Sequence, residues 1–158
     1  MGDAALASEL ESMNFDMSAF YAMYLRNIED NQTPEGGVPE VVPYKKSDSP
    51  DAAWSTAYPT IAWMAWQYYS AIPAFQDRYP SLKKYMDFLK NKYASTGLKS
   101  MFTQWGDWCQ PPQKSHRDSE ELGHMTSSAS YLHDINSMAD IATALGFPDD
   151  AAAFKALQ

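Results

Sequence analysis

The sequence is poor in the residues that build the commonest reactive sites. Cys109 is its one cysteine, so no internal disulfide can form and a structural zinc site built on several thiolates is excluded. A lone thiol beside Trp108 reads as buried and inert. His116, His124 and His133 lack the His-Glu-x-x-His spacing that places two imidazoles on one helix face, so no metal or other cofactor is expected. No Gly-x-Ser-x-Gly occurs, which removes the serine nucleophile elbow. Basic side chains are scarce too: 12 Lys and Arg stand against 20 Asp and Glu, a formal net charge of −8. A nucleic-acid partner is not expected, because binding a polyanion depends on cations that displace its counterions. No apolar run approaches the roughly 18 residues that read as a membrane-crossing helix. The opening Met1-Gly2-Asp3-Ala4-Ala5-Leu6 has neither a basic region nor an apolar stretch, so no signal peptide is expected, and the compartment stays open.

What the chain has is aromatic side chains: 5 Trp, 10 Tyr and 7 Phe in 158 residues. Two segments set tryptophan beside acid, Asp51-Ala52-Ala53-Trp54 and Trp105-Gly106-Asp107-Trp108. An indole face covers the C–H face of a sugar ring, and a neighbouring carboxylate accepts its hydroxyl hydrogens. An acidic, aromatic surface therefore suits a neutral polyhydroxylated ligand. Trp63 and Trp66 lie inside an apolar stretch and read as core, as do the scattered methionines.

Apolar spacing predicts an all-α chain. Residues 3–13 are good helix formers. Met17, Phe20, Tyr21, Tyr24, Leu25 and Ile28 predict a helix over 16–31, with Asp16 or Asn14 as its cap. Residues 34–50 form a long loop carrying Pro34, Pro39, Pro43 and Pro50, and long loops in compact domains are often functional. A helix from Asp51 to about Tyr69 contains Pro59, which predicts a kink or a late start. Leu82, Tyr85, Met86 and Leu89 mark a helix over 80–93, and Gly97 closes that region. Tyr131, Leu132, Ile135, Met138, Ile141 and Leu145 mark one over 126–145, with Thr126-Ser127-Ser128 as its cap and Gly146 as its stop. A last helix runs from Asp149 onward. Paired helices joined alternately by long and short connections, with the long loops gathered at one end, fit this rhythm. Both termini read as lying inside helices, so the chain is expected to be cut at both ends.

These residues resemble the catalytic domain of bacterial and fungal α-L-rhamnosidases, glycoside hydrolase family seventy-eight. Met1-Gly2-Asp3-Ala4 is similar to the tail of the family's Gly-Trp-x-Gly-Asp-Ala motif, and Asn14-Phe15-Asp16-Met17 with Phe20-Tyr21 to the helix after it. Gly37-Val38-Pro39-Glu40-Val41-Val42-Pro43 resembles its Gly-x-(Ile/Val)-Pro-Asp-Val-x-Pro loop. Asp51-Ala52-Ala53-Trp54, the run from Arg78 to Tyr85, and Gly106-Asp107-Trp108 follow in the family's order. Each motif is weak alone; their order and spacing together are fairly specific.

The resemblance implies a partial (α/α)6 barrel, residues 1–158 being the N-terminal part of one catalytic domain. It also implies inverting hydrolysis of terminal α-L-rhamnose. One carboxylic acid protonates the leaving oxygen, and a second carboxylate, roughly 6.5–9.5 Å away, activates water. By the same resemblance both groups lie outside this sequence, so no catalytic residue is expected within it and the isolated chain should be inactive. Asp3, Asp51, Trp54, Asp107 and Trp108 are expected to bind substrate, with Asp51, and secondarily Asp48, matching a hydroxyl-binding acid. The family often reads Trp-x-Asp-Ala where this chain has Trp54-Ser55-Thr56-Ala57. The expected partners are a rhamnose-containing glycoside or polysaccharide and the remainder of the domain. A non-catalytic carbohydrate-binding or helical interaction module is the alternative reading.

Overall fold

The computed structural model describes residues 1–43, 50–70, 76–97, 101 and 120–158. Among the described residues it is all-helical: α1 Gly2–Asn14, α2 Ser18–Asp30, α3 Ala57–Tyr69, α4 Tyr79–Tyr93, a 3₁₀ turn Ala94–Thr96, α5 Glu120–Ala144 and α6 Pro148–Lys155. The expected helices are all present, and the differences lie at their starts. Neither Asp16 nor Asn14 is the N-cap of α2: Met17 holds that place without a side-chain cap bond, while Asp16, one residue earlier, accepts the Ser18 N–H at 3.0 Å. Asn14 instead closes α1, donating to the Leu10 carbonyl at 2.7 Å.

α3 takes the late start. Pro59 falls in its first turn, where backbone N–H groups have no partner inside the helix and the missing donor costs nothing. Residues 51–56 form turns instead. At the other helix the expectation over 126–145 was too short. α5 already runs from Glu120, so Thr126-Ser127-Ser128 is not a cap but an interior stretch. The Ser127 hydroxyl is turned back onto the Gly123 carbonyl at 3.0 Å and reaches the Met101 carbonyl at 2.6 Å. That second bond ties Met101 to α5.

The core lies around α3, whose Ala57, Tyr58, Ile61, Ala62 and Ala65 are almost wholly enclosed. α1, α2 and α5 all pack on it. Trp63 and Trp66 border this core and are half-buried. α1 and α3 run side by side in the same direction. Gly2 meets Trp54 at one end, and at the other the Tyr69 hydroxyl donates to the Phe15 carbonyl and accepts from the Met17 N–H, at 3.0 and 3.1 Å. The 31–43 segment returns to the end where α1 begins. Gly36 makes this possible: its φ is +106°, and a Cβ there would sit 2.5 Å from the Lys84 carbonyl oxygen. α6 is fastened to α4 through Asp150, which accepts from Lys83 and, at 2.9 Å, from the Tyr79 hydroxyl.

Candidate functional site

The site is built where α1 starts and the turn before α3 presents Trp54. Asp3 sits in the first turn of α1 and is exposed, an arrangement the positive end of the helix dipole favours. Trp54 is half-buried. Its indole lies so close to the α1 backbone that a Cβ on Gly2 would come within 2.5 Å of Cδ2. The absence of a side chain at position 2 therefore lets the ring lie against the start of α1. The two residues, separated by half a hundred positions in sequence, share one end of the molecule.

The turn carrying Trp54 is held from behind. Asp51 is 0% exposed, and its Oδ1 accepts the N–H groups of Ala53 at 2.9 Å and Trp54 at 3.0 Å. Asp51 therefore serves the backbone, fixing the turn that carries the half-buried indole. The buried Ser55 hydroxyl donates to the Val38 carbonyl at 2.8 Å and clamps the 31–43 segment onto the same turn. The Met1 ammonium donates to the Glu40 carbonyl at 2.7 Å, which joins that segment to α1. Burial lowers the pKa of this ammonium, against the pull of the Asp3 and Glu40 charges. Asp107 and Trp108, with Asp48, Trp105, Cys109 and His116, lie outside the described residues.

Three polar residues here escaped the sequence reading. Thr56, just before α3, donates its hydroxyl to Oδ1 of Asp134 on α5. Asp134 is 0% exposed. Burial pushes its carboxyl up to about 6, while the contacts with His133 and Thr56 pull the other way. His133 Nδ1 lies 3.8 Å from the same oxygen, a charge contact rather than a hydrogen bond, and it raises the imidazole above its ordinary value. The edge of the His133 ring meets Trp63, with centroids 6.4 Å apart. A signal for Asp134 did exist. It falls between Tyr131, Ile135 and Met138 on the inner face of α5, and an acid on an apolar face needs a partner.

Thr56 and His133 also line a cleft of about 620 Å³ between α1, α3 and α5. Leu6 and Glu9 contribute from α1, Thr60 and Met64 from α3, Met125 and Ser130 from α5. The wall is largely apolar with hydroxyls interspersed, a surface that can seat a ring and hydrogen-bond its substituents. Among the described residues there is no group of three or more His, Cys, Asp or Glu side chains able to hold a metal ion.

Comparison with known proteins agrees with this architecture. The family model described as the bacterial alpha-L-rhamnosidase 6 hairpin glycosidase domain matches residues 1–158. The solved alpha-L-rhamnosidase from Dictyoglumus thermophilum superposes with a TM-score of 0.89 at 40% identity, over 99% of this chain and 17% of that one. A curated alpha-L-rhamnosidase of Alteromonas sp. (strain LOR) is 26% identical over 90% of this chain and 16% of its own length. One from Streptomyces avermitilis is 25% identical over 99% of this chain and 14% of its own. The chain thus spans about one sixth of the length of these relatives. The match covers every residue of the sequence, the helices superpose on a solved member, and the chain belongs to the six-hairpin glycosidase domain family of bacterial α-L-rhamnosidases.

Proposed function

We propose that this chain forms one wall of the rhamnose pocket in an α-L-rhamnosidase that removes terminal α-L-rhamnose from glycosides or polysaccharides with inversion. The observation that carries this reading is the half-open Trp54 indole set against Gly2 beside the exposed Asp3. The 40% identity to a solved alpha-L-rhamnosidase supports it. In this role Trp54 covers the apolar face of the deoxyhexose, where the C6 methyl group adds to the contact, and Asp3 accepts from ring hydroxyls. Asp51 keeps the turn in shape. Asp107 and Trp108 are the further substrate-binding residues that the family resemblance implies.

General acid and general base are assigned to parts of the domain outside this sequence. Positioning alone then remains here, and proton transfer, ordinarily a factor of about 10²–10⁴ for each group, is missing. The remainder of the domain is the proposed partner. It covers the apolar stripe of α1, where Leu6, Leu10 and Met13 are 83%, 66% and 65% exposed.

The test is a titration of L-rhamnose against the isolated chain, followed by tryptophan fluorescence, with an aryl α-L-rhamnoside assay alongside. Saturable quenching that disappears in Trp54→Ala, without turnover, is the expected result. Quenching that survives both Trp54→Ala and Asp3→Ala removes the pocket. Turnover by the isolated chain removes the assignment of the proton-transfer groups.

A further inference from the structure

The geometry points to Asp134 as a positioning residue for the Trp54 turn. Reaching from α5, it supplies a carboxylate at the start of α3, where Thr56 makes no cap bond of its own.

Position 56 immediately precedes the first residue of α3, the place where a side-chain acceptor normally caps a helix and an acid meets the positive end of its dipole. Thr56 does not fill that place itself. Its backbone is already helical, at φ −53° and ψ −17°, and its side chain makes no cap bond. The hydroxyl turns outward and donates to Asp134 Oδ1. A carboxylate is therefore present one hydroxyl away from the start of α3, on a neighbouring helix instead of on α3 itself.

Asp134 is a costly residue to bury. It is 0% exposed and, among the described residues, its second oxygen has no hydrogen-bond partner and its one counter-charge is His133, 3.8 Å from Oδ1. An enclosed anion with so few partners is poor packing, and a nearby helix N-terminus offsets part of its cost. Its position gives it a purpose. Thr56 is two residues beyond Trp54 and belongs to the turn that the Asp51 and Ser55 bonds also hold. Asp134 thus clamps to α5 a turn that Asp51 shapes from within and Val38 clamps to the 31–43 segment. This inference rests on the proposed pocket only for its ligand measurement.

The experiment is a swap of the carboxylate between the two positions, in the full chain. Thr56→Asp, Asp134→Ser and the double variant are compared by melting temperature and by acrylamide quenching of Trp54, read as the difference from the corresponding Trp54→Phe protein. Thr56→Asp alone sets two carboxylates against each other and is expected to lower the melting temperature. The same change in the Asp134→Ser background is expected to be neutral or stabilising. Asp134→Ser alone should make Trp54 more accessible to acrylamide, and the double variant should restore the original value. Rhamnose affinity should follow, roughly tenfold weaker in Asp134→Ser and recovered in the double.

Additive effects of the two changes on melting, or an unchanged Trp54 in Asp134→Ser, overturn the inference. Should Asp134→Ser fail to fold, Thr56→Val removes the hydroxyl and leaves Asp134 in place. Increased quenching of Trp54 in Thr56→Val but not in Thr56→Ser supports the role, and no change in Thr56→Val overturns it. A wild-type chain that does not respond to rhamnose counts against the pocket, while the melting and quenching measurements still decide the role of Asp134.

Discussion

At the scale of single residues, position 2 is the most demanding. A methyl group on Gly2 would lie within 2.8 Å of three indole carbons of Trp54. Gly2→Ala must therefore move either the ring or the start of α1, at a cost of about 1–3 kcal/mol for an overpacked contact. The expected readouts are a lower melting temperature and a changed Trp54 emission. An unchanged emission maximum after subtraction of the Trp54→Phe spectrum would show that the ring does not lie against α1. Asp51 acts on the same side chain through the backbone. Asp51→Ala removes the acceptor for two N–H groups and should cost about 1–2 kcal/mol by urea unfolding. Asp51→Asn keeps an acceptor oxygen and should retain most of that stability; equal losses in both variants would place the effect in the charge instead. Asp3 and Trp54 could be named as candidates from the sequence because they sit in short, ordered motifs. Thr56 and Asp134 were not, because their relation exists only once α5 has packed on α3.

At the scale of elements, the seam between α3 and α5 carries the titration behaviour. Asp134 is pushed up to about 6 from an ordinary 3.8, burial being the main cause. A carboxyl whose pKa is raised on folding binds its proton more tightly in the native state. Its contribution is full below the ordinary value and is lost as pH rises through about 6. His133, raised by its contact with Asp134, acts in the same direction, its contribution fading as pH rises above the ordinary 6.5. The chain should therefore melt at a higher temperature near pH 5 than near pH 8. Asp134→Asn, nearly isosteric and still able to accept from Thr56, should flatten that slope. A slope that persists unchanged in Asp134→Asn would locate the titrating group elsewhere. Asp16 and Asp150 have the opposite sign. Ser18 bonds lower the first and the Lys83 bond lowers the second, so their contributions are lost at lower pH. The periodic apolar positions made these helices readable along the chain. Their starts were less so: α3 opens late because Pro59 needs a first-turn position, and α5 opens at Glu120, so that Ser127 is interior and its hydroxyl bonds the Gly123 and Met101 carbonyls instead of capping.

At the scale of the whole molecule, the outstanding property is an apolar stripe facing water. Leu6, Leu10 and Met13 recur at helical spacing on the outer face of α1, with Phe15 beyond its end and Met23 on α2, all of them exposed. Scattered exposed leucines are ordinary, but a continuous helical stripe of this kind fits the contact proposed above with the remainder of the domain. Replacing Leu6, Leu10 and Met13 together by Gln should leave stability nearly unchanged, within about 0.5 kcal/mol per site. It should also reduce binding of an apolar dye and self-association on a sizing column. A large loss of stability in the triple variant would show that the stripe already packs within the chain.

Apolar spacing was enough to predict that the chain is helical, and the ordered motifs were enough to name the family it resembles. Those properties follow from local preference and from linear order, which a sequence carries directly. Only the tertiary structure decided that Asp51 faces inward to two backbone N–H groups while Trp54 stays half-open, and that Asp134 meets Thr56 from another helix. The physical reason is that burial and hydrogen-bond partnership belong to pairs of residues brought together by packing, and neither is a property of a residue type.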